Sequence, residues 1–157
     1  MAGQNLGACL YERAKHTMYV GMRIALGLSL VIFAFVQLFP EAIIACFTQD
    51  PGVMATGVSY MRIVSFDYIF AAIVFSLSAL ANASGQTWFT LVNSVLNYLL
   101  RAPLALLLVP VIGTDGIALS VPVATIAAIL ICIVYIRKGS WRTRQITPTA
   151  PDQINAC

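Results

Sequence analysis

The chain has 157 residues, of which 60% are hydrophobic and 10% are charged. Soluble globular domains run at about 45–50% apolar and about 25% charged residues, so this composition excludes an ordinary soluble domain and indicates a membrane protein. The net charge of +3 comes largely from basic residues beside apolar segments. Such residues contact anionic lipid, so the expected partners are membrane lipids and not nucleic acid.

A membrane-spanning helix needs about 20 mostly apolar residues. In chain order, residues 1–17 are polar and lack the n-region and h-region of a signal peptide, so they read as a cytoplasmic loop. The first span covers residues 18–39 and carries one early charge, Arg23. A connection comes next over 40–57, with Glu41, Asp50 and a Pro51-Gly52 turn signal. The second span, 60–81, contains Asp67. A short polar loop at 82–87 leads into the third span, 88–110, and a turn at 111–115 into the fourth, 116–136, which has no charge. The runs are too long for strands and lack period-two alternation. The expected fold is therefore an all-α integral membrane unit of four transmembrane helices over 18–136. The polar residues 137–157 read as a disordered cytoplasmic tail.

Charge sets the expected orientation. Arg13, Lys15 and His16 precede the first span, and Arg137, Lys138, Arg142 and Arg144 come after the last. The connections after the first and third spans have no Lys or Arg. The positive-inside rule then places both termini in the cytoplasm. Trp88, Trp141, Tyr60 and Tyr135 fall near the expected interfaces, as in aromatic belts.

The most informative pattern is a polar ladder in the third span: Thr90, Asn93, Asn97 and Arg101. Steps of three and four place these residues on one helix face. Amides and a guanidinium facing lipid are costly, so this face looks into protein or water. In the bland reading Asn93 and Asn97 are interhelical glue; in the sharp one they line a substrate cavity with Arg101. Asp67 is either an intramembrane cation or proton site or a structural partner of an arginine. It lies about 10 Å below the outer end of its helix, and Arg101 about 13 Å below the end of its own, so the two can pair. Arg101 snorkelling outward is the competing reading. Phe66, Tyr68, Phe70 and Phe75 offer aromatic walls to organic cations, although such residues more often face lipid or core. Pro103 favours a kink beside Arg101.

Gly21, Ala25 and Ser29, and likewise Ser120, Ala124 and Ala128, form small-residue rows that suit close helix packing. Cys9, Cys46, Cys132 and Cys157 are scattered, with no CxxC or Cys/His pair, so no metal site is expected. Cys132 reads as packing. No nucleophile-base pair or phosphate-binding loop is present, so the chain is not expected to be an enzyme.

Several short strings occur in a telling order. The chain opens with Gly3-Gln4-Asn5-Leu6-Gly7-Ala8 and then Tyr11-Glu12-Arg13-Ala14-Lys15. Phe39-Pro40, Phe47 and Asp50 come next, then Tyr60-Met61-Arg62-Ile63, the 82–87 loop with Gly85 and Thr87, Arg101-Ala102-Pro103-Leu104, and Gly113 with Gly116-Ile117. This ordered set, over roughly residues 3–142, resembles the multidrug and toxic compound extrusion (MATE) transporters. One departure is Ala83-Ser84, where that family's loop has a glycine or an arginine-glycine pair.

The resemblance implies a twelve-helix transporter of two lobes, with this chain as its last four helices and the missing N-terminal part of the same transporter as its partner. It implies secondary-active efflux of cationic or amphipathic small molecules in exchange for protons or sodium ions, in a bacterial inner membrane type of cell membrane, with no cofactor besides the coupling ion. Asp67 becomes the cation-coupling candidate. Asn93, Asn97, Arg101 and Tyr68 become cavity candidates. Gly3, Gln4, Asn5, Gly85 and Pro103 become a conformational motif, the first three as a cytoplasmic turn and helix cap. The alternatives are a lipid-linked precursor flippase of similar architecture and a four-helix membrane scaffold or accessory protein.

Overall fold

The computed structural model describes residues 2–8 and 10–138. Cys9, Cys157 and the tail with Trp141, Arg142 and Arg144 lie outside the described residues. The described residues form six helices: α1 (Ala2–Gly7), α2 (Tyr11–Leu38), α3 (Pro40–Ala45), α4 (Pro51–Ala83), α5 (Thr87–Ile112) and α6 (Asp115–Arg137). Four of them, α2, α4, α5 and α6, are long and apolar enough to cross a membrane. This is a multi-pass helical membrane protein.

Two helices start earlier than their apolar runs suggest. Helix α2 begins at Tyr11, so residues 11–17 extend a helix and do not form a loop. Helix α4 begins at Pro51, where the sequence suggests a turn. The Asp50 carboxylate accepts from Gly52 N at 2.8 Å and Val53 N at 3.2 Å. Proline is pre-set for the first helical position, so Asp50-Pro51 is a helix start. At 33 residues and 1.5 Å per residue, α4 is roughly 50 Å long and outreaches a hydrocarbon core of about 30 Å. The same 40–57 segment also holds α3, started by Pro40.

The Gly3-Gln4-Asn5 string is likewise helical. It lies in α1, and the residue capping α2 is Leu10, which makes no side-chain cap. Instead α1 tucks Leu6 into a cluster with Ala14, Met18, Leu77, Leu80 and Cys132. Asn5 Nδ2 donates to Thr17 Oγ1 at 3.2 Å, which ties α1 to α2.

The spanning helices lie side by side in the order α2, α4, α6, α5, with a lesser contact between α4 and α5. Helix α6 is therefore central although it comes last. Its row of Gly116, Ser120, Ala124, Ala128 and Cys132 is buried throughout. A Cβ on Gly116 would lie 2.7 Å from Leu108 C, so only glycine lets α5 and α6 approach this closely. The first-span row fares differently. Ser29 is buried, but Gly21 on the edge helix α2 has nothing within 4 Å of its Cβ position.

One end of the bundle gathers α1, the α4–α5 turn and the end of α6. Gly85 there has φ 79°. Gln86 N bonds to Ala81 O and Gly85 N to Asn82 O, each at 3.0 Å, a Schellman cap that needs the left-handed residue. At the other end Ser59 Oγ donates to Asp115 Oδ1 at 2.8 Å and joins α4 to α6.

Candidate functional site

The polar ladder of α5 faces protein. Asn93 is 2% exposed, while most of the remaining α5 surface is exposed hydrophobic side chain. Antiparallel packing of α5 on α6 sets Arg101 beside Thr125, Asn93 beside Cys132 and Phe89 beside Tyr135. Helix α4 adds Asp67, Ala71, Val74 and Phe75 from the other side. Together the three helices line a cavity of about 260 Å³ that includes Asn97, Tyr98 and Ala128.

Asp67 and Arg101 meet across this cavity, with Arg101 Nη2 3.8 Å from Asp67 Oδ2. The side chains are 15% and 30% exposed, respectively. Arg101 turns inward and does not snorkel. Its Nε donates to Asn97 Oδ1 at 3.0 Å, its Nη2 to Thr125 Oγ1 at 3.5 Å, and its guanidinium sits 5.1 Å from the Tyr98 ring centroid. Asp67 is held far less: its Oδ1 is buried with no hydrogen-bond partner. The pair is thus asymmetric, a well-supported cation beside a weakly supported carboxylate. A buried carboxylate oxygen left without a partner between membrane-spanning helices is suited to take a small cation or a proton.

The remaining candidates are dispersed. Tyr68 lies outside this cavity, in an apolar groove of about 560 Å³ with Ile44, Gly57, Tyr60, Met61 and Val64 between α3 and α4. Phe75 joins the polar cavity, whereas Phe66 meets Phe33 at 5.0 Å. Helix α5 runs on through Pro103, which is exposed. Gln4 and Asn5 border a polar cleft with Glu12, Arg13, His16 and Thr17, and Gly85 closes the α4–α5 turn at the same end of the bundle. Sequence reasoning missed Thr125, whose only signal is a hydroxyl one residue from the small-residue row of α6. Cys132 packs in the buried cluster, as the sequence reads, and in addition accepts from Asn93 Nδ2 at 3.2 Å, which the sequence did not signal.

Fold and site together define a class: a helical, multi-pass membrane protein with a charged pair in a cavity between spans. The MatE family profile matches residues 1–107, more than half of the chain, and the chain belongs to the MatE family. That match includes Asp67, Asn93, Asn97 and Arg101. The chain is 26% identical over 147 residues to the probable multidrug resistance protein YpnP of Bacillus subtilis (strain 168). The similarity covers 93% of this chain and 33% of the relative, so the chain spans about a third of that relative's length. No solved structure matches it.

Proposed function

We propose that this chain is the C-terminal four-helix part of a secondary-active multidrug efflux antiporter, the remaining eight helices lying in the N-terminal part of the same transporter. The transporter exports cationic or amphipathic compounds in exchange for protons or sodium ions across a cell membrane, with both ends of this unit cytoplasmic. Family membership and the multidrug resistance relative support the efflux reading. The observation that carries the coupling role is Asp67, a partly buried carboxylate whose Oδ1 is buried and unpartnered and whose Oδ2 lies 3.8 Å from Arg101.

Coupling arises from differential binding. A proton or sodium ion on Asp67 neutralises the carboxylate and weakens its hold on Arg101, which shifts the balance between two arrangements of α4 and α5. The cation-loaded arrangement releases drug outward. Asn97, Tyr98 and Phe75 supply the amide and aromatic surface against which an organic cation rests.

Asp67→Asn in the full-length transporter keeps size and hydrogen bonding but removes the charge. The variant reaches the membrane at normal levels, still binds drug and loses gradient-driven efflux. Normal efflux by Asp67→Asn would refute the coupling role.

A further inference from the structure

We propose that the outward face of α2, at the end where α1 packs, is a binding site for an anionic phospholipid. The headgroup phosphate sits in the cleft between α1 and α2 against Arg13 and His16, Arg23 meets it from the membrane side, and an acyl chain runs on along the helix. The inference rests on α2 as a membrane-spanning helix and is independent of the coupling role of Asp67.

Helix periodicity sets the face. The buried residues of α2 are Ala14, Met18, Ser29 and Val36. With about 3.6 residues per turn these fall on one side of the helix, and Arg13, His16, Val20, Arg23, Gly27 and Val31 fall on the opposite side. All six are exposed. Charge is confined to the first half of the helix, where Arg13, Lys15 and Arg23 are its cations and Glu12 is its acid. Lys15 Nζ meets Glu12 Oε1 at 3.0 Å, so the acid is neutralised within the helix. Arg13 and Arg23 have no ion pair among the described residues.

The cleft at this end has a volume of about 560 Å³ and is lined by Gln4 and Asn5 of α1 and by Glu12, Arg13, His16 and Thr17 of α2. Asn5 and Thr17 are bonded to each other. The Gln4 amide, the Arg13 guanidinium and the His16 ring have no side-chain hydrogen bond among the described residues, so their N–H donors are available to a ligand. Guanidinium and phosphate geometries match, and the pairing is charge-assisted.

Depth identifies the ligand. The apolar run of α2 starts at Met18, and residues 11–17 add about 10 Å of helix beyond it. A headgroup layer is about 5–8 Å thick on each side of the hydrocarbon core, so Arg13 and His16 lie at phosphate depth. Arg23 lies about 7 Å beyond Met18 towards the membrane centre. An exposed guanidinium there is costly unless its long side chain reaches back to the headgroups. Past Arg23 the same face is apolar. Gly27 has nothing within 4 Å of its Cβ position and leaves a shallow notch for a chain. N–H donors, then an arginine, then an apolar strip follow the order of a phospholipid from head to tail. A protein segment on this face would have to place an acid inside the hydrocarbon core to meet Arg23, which is unfavourable.

The test uses the full-length transporter in nanodiscs. The probes are phosphatidylglycerol and phosphatidylcholine, each with the same photoreactive acyl chain, and cross-linked peptides are mapped by mass spectrometry. The readout is the ratio of phosphatidylglycerol to phosphatidylcholine adducts on residues 24–31. A basic residue near the membrane surface changes anionic-lipid affinity about fivefold. Arg13→Gln and Arg23→Gln are each expected to lower the ratio about fivefold and the double variant about 25-fold. Arg13→Lys and Arg23→Lys keep the charge and are expected to keep most of the ratio. An unchanged ratio in the double glutamine variant overturns the proposal, as does an equal loss of both lipids, which marks a packing role. Absence of adducts on α2 also overturns it, since the N-terminal part of the transporter then covers this face. Displacement of the phosphatidylglycerol adducts by millimolar inorganic phosphate assigns the cleft to a soluble phosphate compound and overturns the lipid assignment.

Discussion

Breaking the Asp67–Arg101 pair from either side is expected to have unequal effects. At 3.8 Å and an effective dielectric constant of about 20, the attraction is about 4 kcal/mol. Asp67→Asn forfeits it, but Arg101 keeps Asn97, Thr125 and the Tyr98 ring. The expected destabilisation is about 2 kcal/mol, between exposed and fully buried pairs. Arg101→Gln instead strands a carboxylate whose Oδ1 already lacks a partner, at a cost of about 3–5 kcal/mol. In the double variant Asp67→Asn/Arg101→Gln no charge remains, so its loss falls below the sum of the two single losses. Thermal denaturation of the full-length protein in lipid–detergent micelles measures all three. Additive single effects, or Asp67→Asn more damaging than Arg101→Gln, would refute the reasoning. Efflux by the same variants separates structure from coupling: a purely structural Asp67 regains transport in the double variant, and a coupling Asp67 does not.

Packing and charge pattern give two more expected outcomes. Gly116→Ala puts a Cβ 2.7 Å from Leu108 C and 2.8 Å from Val109 N, backbone atoms that cannot rotate away. It should destabilise the protein by about 1–3 kcal/mol, seen as a lower thermal midpoint, and an unchanged midpoint would show that α5 and α6 are not held this closely. For orientation, single cysteines are introduced at Asp50 and at Lys138 in a protein otherwise lacking cysteine. With both termini cytoplasmic, an impermeant thiol reagent applied from outside labels the Asp50 probe and spares the Lys138 probe. The reverse pattern inverts the topology.

Much of this molecule is legible in its sequence because the determining forces are local. A bilayer core imposes a length and an apolar composition on every span, and those are read residue by residue, so the four spans and their all-helical character come directly from hydropathy. The helical period alone places Thr90, Asn93, Asn97 and Arg101 on one face, and depth counting alone makes an Asp67–Arg101 contact feasible. Helix starts are less legible: Asp50-Pro51 serves equally as a turn or as a cap, and here it caps the long helix α4. Tertiary structure alone decided that α6 sits between α4 and α5, because that order depends on which small-residue row finds a fitting surface, a non-local matter. The same order turned α6, uncharged between its two ends, into a wall of the cavity through Thr125, made Cys132 the partner of Asn93, and moved Tyr68 into a different groove. It also decided between pairing and snorkelling for Arg101: with Asn97, Thr125, Tyr98 and Asp67 gathered inside, the guanidinium has more partners there than at the membrane surface.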